Sequence, residues 1–251
     1  MRQIVKCIST VDQFDVALFN RLNLGVEIQD FSEPNLSTDE RADLAERYSK
    51  LLIDFAGIVS LHGPYLDLKP ASPDPLIRAV SHNRYLDALQ TATQLNADYL
   101  IFHSQINPFL DEPRLRDLNN LQTGEFWNKI TGETDYRGTI LIENIFEKTP
   151  DMLKRYIQTA ARPGMKINLD IGHLRARRAD LEEWIRELKD YIAYIHVHSN
   201  DGNHDLHLPP GQEEITDLYR LLDKYNLDPV LALEYSCDNE RIADEVARYL
   251  R

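Results

Sequence analysis

Eight short apolar runs recur along the chain: IVKCIS from Ile4, GVEIQ from Gly25, GIVSLH from Gly57, YLIFH from Tyr99, TILIE from Thr139, KINLD from Lys166, YIAYIHVH from Tyr191 and PVLALE from Pro229. Rich in Ile, Val, Leu and Tyr, they predict strands. The central runs are apolar without alternation, as in parallel strands covered on both faces. Helix signals lie between them. Ser37-Thr38-Asp39-Glu40 reads as a capping box ahead of ADLAERYSKLLIDF. Asp74-Pro75 and Thr149-Pro150 each set an N-cap residue before a proline at the first helical position. LEEWIRELKDY and EITDLYRLLDKY repeat apolar residues at helical spacing, and IADEVARYL reads as a closing amphipathic helix. Strands alternating with helices predict an α/β fold, a single (β/α)8 barrel over residues 1–251, with a large doubly wound sheet as the competing arrangement. Closure makes the first and last strands neighbours and brings the Cys7 and Cys237 segments to one side.

A chain of 251 residues can bury a full core without disulfides or a structural metal. Asp plus Glu number 41 against 28 Lys plus Arg, a net charge of −13. That balance disfavours nucleic acid and anionic membrane as partners, because both are held through positive charge. No apolar run reaches the length of a membrane span, and the N-terminus lacks a signal-peptide core. The two cysteines form no CxxC motif and read as reduced thiols, so a cytoplasmic protein is expected. No GxGxxG or GxxxxGK[ST] follows a strand, so nucleotide cradling has no support.

The chemistry gathers where the runs end. The third ends in His62, the fourth in His103, the fifth in Glu143 and the sixth in Asp170, with His173 three residues on. The seventh ends in His198, with Asp205 and His207 in the following loop, and the eighth ends in Glu234. A parallel barrel brings these ends to one rim, where barrel enzymes keep their sites. Any one of them alone is an ordinary rim residue. Together they are the ligand types of Zn, Mn or Fe, and burying so many without a cation is electrostatically costly.

These residues also carry a resemblance. H-x-x-Y (His62 to Tyr65), the strand-end His103, Glu143-Asn144, D-x-G-H (Asp170 to His173), H-x-N-D (His198 to Asp201), D-x-H (Asp205 to His207) and Glu234 stand in order. Together they resemble the xylose-isomerase-like barrel superfamily, which includes sugar and sugar-phosphate isomerases and epimerases and the endonuclease IV or AP endonuclease family 2 enzymes. In the isomerase branch the resemblance implies one divalent metal on Glu143, Asp170, His198 and Glu234, with Glu143 and Glu234 as the acid–base pair. In the endonuclease branch it implies three zinc ions on nine ligands: His62, His103, Glu143, Asp170, His173, His198, Asp205, His207 and Glu234. One to three ions are therefore expected. Ser104-Gln105 after His103 departs from the endonuclease Pro-Gly, and IFEKTP after Asn144 replaces its small Gly-rich loop. Both departures favour the isomerase branch.

Neighbouring residues are weaker candidates. Tyr65 and Lys69 follow the third strand, within reach of a substrate on the rim, and His173 is a candidate to polarise a substrate oxygen. Arg175, Arg177 and Arg178 form a basic cluster; Arg175 is the candidate to hold a phosphate, against an ordinary outer charge run. Glu27 reads equally as an orienting residue or as part of an inward polar layer, and His196 as a core histidine below His198. His82 and His204 match no motif.

Three functions remain open on the sequence. An isomerase or epimerase would move a proton between Glu143 and Glu234 through an enediolate stabilised by metal charge. A phosphodiesterase would use two or three zinc ions. A silent barrel would keep its metal for stability. The first is preferred, with a small sugar or sugar phosphate as partner.

Overall fold

The computed structural model describes residues 2–33, 35–109, 112–160 and 164–250. Eight strands form a closed parallel barrel in chain order. They are β1 (Ile4–Ile8), β2 (Gly25–Ile28), β3 (Val59–His62), β4 (Tyr99–His103), β5 (Thr139–Glu143), β6 (Lys166–Asp170), β7 (Ile192–Val197) and β8 (Val230–Leu233). Closure is made by β1 against β8, with Ile4 opposite Leu231 and Lys6 opposite Leu233. This excludes the open doubly wound sheet. Cys7 and Cys237 are both free thiols and line one small cavity of about 180 Å³ beside this seam.

The helices are α1 (Val16–Leu22), α2 (Thr38–Leu52), α3 (Pro75–Gln94), α4 (Pro113–Thr131), α5 (Pro150–Ala160), α6 (Ile171–Ala176), α7 (Leu181–Leu188), α8 (Gln212–Lys224) and α9 (Ile242–Ala247). Local chemistry sets their starts. Ser37 and Glu40 exchange both bonds of a capping box at α2, and the Asp74 carboxylate caps α3 ahead of Pro75. Asp170 ends β6 and caps α6 at once, accepting from the His173 amide at 2.7 Å. Strand end, helix start and candidate ligand thus coincide in one residue. None of the described helices is long and apolar enough to cross a membrane.

Alternation along the strands divides the barrel interior into levels. Val5, Ile101, Leu141, Tyr194, Val230 and Ala232 pack the apolar part of the interior. Glu27, Ser60, Asn168 and His196, all fully buried, make a polar level. The strand-end carboxylates and imidazoles lie beyond it at the C-terminal rim. Outward side chains of the strands pack on the helices in the larger cluster that includes Phe19, Tyr85, Trp127 and Trp184.

Candidate active site

Glu143, at the end of β5 and almost fully buried, is the centre of the rim. Its carboxylate lies 3.5 Å from His62 Nε2, 3.8 Å from His103 Nε2 and 3.5 Å from His173 Nδ1. Asn168, one level down on β6, donates to Glu143 Oε2 at 3.0 Å and fixes it from below. The ligand atoms of His62, His103 and Glu143 fall within 4.8 Å of one another. So do those of Asp170, His198 and Glu234, and those of His173, His198, Asp205 and His207. All nine residues singled out as ligands therefore converge on one rim, in three groups, two of which share His198.

Held contacts fix the ring orientations. His173 Nδ1 lies 2.8 Å from the Asn144 carbonyl, while its Nε2 is 3.2 Å from Asp205 Oδ2. Asn144 also accepts the Asp170 amide at 2.9 Å, so one side chain ties the β5 end to the β6 end. His198 Nε2 lies 3.0 Å from Asp170 Oδ1, and the His198 ring stacks on His207 with centroids 4.1 Å apart. Gly172 makes room for it: a Cβ there would sit 2.0 Å from His198 Cε1. Tyr65 stacks on His103 at 4.3 Å. Asp67, Gln105 and His207, all on this rim, have left-handed backbones with φ of 56°, 56° and 48°, a conformation that costs energy for a side-chain-bearing residue.

The donor set suits a divalent cation. His198 Nδ1, His196 Nδ1 and Glu234 Oε2 are buried without a hydrogen-bond partner, although buried polar atoms are nearly always satisfied. Three buried carboxylates, Glu143, Asp170 and Glu234, share the same small volume as imidazoles. Oxygen and nitrogen donors in that mixture fit Zn or Mn. The group of Cys7, Glu27 and His196, below the rim, is different. Glu27 there is already saturated by Tyr194 Oη at 2.9 Å, Gln29 Nε2 at 3.1 Å and His196 Nε2 at 2.9 Å.

Electrostatics follow from the crowding. Burial alone would lower His173, but Asp170, Asp205 and Glu143 outweigh it and push its pKa up to about 10. His207 rises against its own burial to about 9, chiefly through Asp205. His103 goes the other way, well down, through burial and the neighbouring His62 and His173. Burial would raise Glu234, yet His196 beside it holds its carboxyl down at about 2.

Above the rim opens a cleft of about 870 Å³, lined by His62, His103, Glu143, His173, Asp205, His207 and Glu234 together with Tyr65 and Lys69. Arg175 is not part of it. Its guanidinium pairs with Glu214 of α8, so the phosphate role expected for Arg175 is corrected; Arg177 lines the cleft instead. His82 and His204 pair with Glu133 and Asp201 and do not line the cleft. Two site residues escaped sequence reasoning: Gln29, which donates to Glu234 Oε1 at 2.7 Å, and Asn168. Their signal is a polar residue inside or just after an apolar run, on the inward phase of the strand.

Residues 24–251 match the xylose isomerase-like TIM barrel family. The chain is 30% identical over 192 residues to the uncharacterized protein MJ1614 of Methanocaldococcus jannaschii, covering 72% of this chain and 68% of that one. Among solved structures, it is similar to a D-tagatose 3-epimerase-like protein at 22% identity and TM-score 0.73, over 99% of this chain and 96% of the other. It is also similar to an AP endonuclease, family 2, from Brucella melitensis at 16% identity and TM-score 0.69, over 100% of both chains. With the family match spanning all but the first strand and first helix, the chain belongs to the xylose isomerase-like TIM barrel family.

Proposed function

We propose that the protein is a divalent-metal-dependent isomerase or epimerase of small sugars, working by proton transfer at a carbon next to a carbonyl. The observation that carries this reading is the pair Glu143 and Glu234. Both carboxylates line the cleft, and both approach His196 Nδ1, at 3.4 and 2.9 Å. Two carboxylates at one end of a small-molecule cleft suit a reaction that removes a proton and returns it to the same or the neighbouring carbon. Glu143, Asp170, His198 and Glu234 would hold the cation, with His62, His103, His173, Asp205 and His207 available to further ions. Such a cation supplies positive charge against the negative charge that develops on adjacent substrate oxygens. His173, Tyr65 and Lys69 line the cleft where substrate hydroxyls would lie. The similarity to epimerase-like structures supports the same class. A cytoplasmic setting accords with two free thiols.

A second reading is favoured by one observation: His62–His103–Glu143 and His173–His198–Asp205–His207 flank the Asp170–His198–Glu234 group, as a multinuclear phosphodiesterase requires. The net charge of −13 argues against a duplex substrate.

Solvent deuterium exchange on a panel of ketoses, with Mn or Zn added, tests the proposal. Exchange beside the carbonyl is expected. Cleavage of an abasic-site duplex with no exchange on any ketose would replace it with the second reading.

A further inference from the structure

The three arginines after His173 have different fates. Arg175 is spent on Glu214, and Arg178 donates to Gly202 O at 3.3 Å and Asn203 Oδ1 at 3.1 Å. Arg177 is held without being neutralised. Its Nε donates to the Ile145 carbonyl at 2.8 Å, and its guanidinium lies over the Phe146 ring, 4.8 Å from the centroid. These contacts use the inner edge and one face of the group. They leave the two Nη atoms without a carboxylate partner among the described residues, in a side chain that lines the cleft. Lys69, the other cleft-lining cation, is likewise in no ion pair among the described residues.

The cleft is thus polarised. The buried Glu143 and Glu234 lie on its floor, whereas the exposed Arg177, on the segment after α6 and stacked on the exposed Phe146, belongs to its outer wall. A neutral sugar gains little from a fixed guanidinium. An anion gains a charge-assisted pair of hydrogen bonds from a group whose rotamer is already set, so little entropy is lost on binding. The same field keeps an anion away from the carboxylates and turns the opposite, hydroxyl-bearing end toward them.

We propose that Arg177 is a specificity-determining residue that binds the phosphate of a phosphorylated sugar, with the reacting carbons directed to Glu143 and Glu234. The proposal rests on the reading of the cleft as a small-sugar site and names the substrate class within it.

Calorimetric titration of the protein with D-ribulose 5-phosphate and D-fructose 6-phosphate, and with the two parent ketoses, tests it by binding alone. The phosphorylated forms should bind more tightly, and inorganic phosphate should compete with them. Arg177→Ala should weaken them by about 10- to 100-fold, the worth of a lost charge-assisted contact, while leaving the free ketoses unchanged. Arg177→Lys should recover part of the loss. The residue is exposed, so both variants should keep the wild-type melting temperature. Equal effects on phosphorylated and free ketoses, or equal wild-type affinity for both, would overturn the proposal. Phosphate-dependent binding through Arg177 without proton exchange would uphold the subsite and remove the isomerase reading. Proton exchange on ketoses, with affinity for the phosphorylated forms unchanged by Arg177→Ala, would do the reverse.

Discussion

Glu234 Oε2 lies 2.9 Å from His196 Nδ1, yet neither atom makes a hydrogen bond. The two groups are close enough to attract but are not aimed at each other. The other oxygen of Glu234 is occupied by Gln29, and the other nitrogen of His196 by Glu27. Glu234 is therefore braced on one side and open on the other, the state expected of a carboxylate with a further task.

That task is separable into ligation and proton transfer. Glu143→Gln and Glu234→Gln preserve volume but remove the proton acceptor, and each should lower kcat for ketose exchange by about 100- to 10,000-fold. Metal content measured on the same preparations tells the roles apart. Full occupancy with lost exchange marks an acid–base group; loss of both in parallel marks a ligand only.

Protons and cations compete for the rim. In the metal-free protein His173 is raised to about 10 and His207 to about 9, burial being outweighed by the carboxylates around them. Both carry protons at pH 7 that a ligated cation must displace. Metal binding should therefore release protons, seen as a dependence of calorimetric heat on buffer ionisation enthalpy, and apparent affinity should rise from pH 6 to pH 8. Stability of the metal-free protein moves oppositely. Its histidine contribution is complete below the unfolded value of about 6.5 and is lost as pH rises through 9 to 10. Chelator-treated protein should melt lower at pH 10 than at pH 6.5; an unchanged midpoint would contradict this charge assignment.

Gly172 is required by its neighbour rather than by its own backbone. A methyl group there would meet three atoms of the His198 ring at 2.0 to 2.3 Å. Gly172→Ala should cost about 1–3 kcal/mol, as overpacking does, and should weaken metal binding by displacing His198. Thermal melts with and without added Zn check both: the variant should lose stability and also lose part of the metal-induced gain.

Much of this arrangement was readable from sequence because a parallel barrel converts a one-dimensional fact into a place. A polar residue ending an apolar run, such as His62 or Glu143, must stand on the C-terminal rim once the fold is known. The capping signals at Ser37 and Asp74 were legible for a similar reason, since they act over three residues. Side-chain direction beyond the strand ends was not. Arg175 and Arg177 are two residues apart on a short helix and its cap, so the turn alone decides which one faces the cleft and which faces Glu214. Gln29 and Asn168 were hidden because their partners, Glu234 and Glu143, lie on other strands and meet them only once the barrel is assembled.

Glu27 gives the last test, because it anchors the brace beneath Glu234. It is fully buried and receives Tyr194 Oη, Gln29 Nε2 and His196 Nε2. Burial would raise its pKa, but His196 outweighs that and keeps it low. Glu27→Ala leaves His196 Nε2 without its acceptor, while Gln29 keeps Glu234 and Tyr194 keeps Ser60, and should destabilise by about 3–5 kcal/mol, as does the breaking of a buried charged pair. Glu27→Gln retains the volume and one acceptor oxygen, and should cost less. Both His196 and Gln29 reach Glu234, so Glu27→Gln should also lower kcat more than it alters KM. Coupling is the sharper measurement. A double-mutant cycle of Glu27→Gln with His196→Gln, followed by denaturant unfolding, should give an interaction energy of about 1 kcal/mol or more. Additive effects would mean that Glu27 fills space in the barrel and that Glu234 takes its position from Gln29 alone.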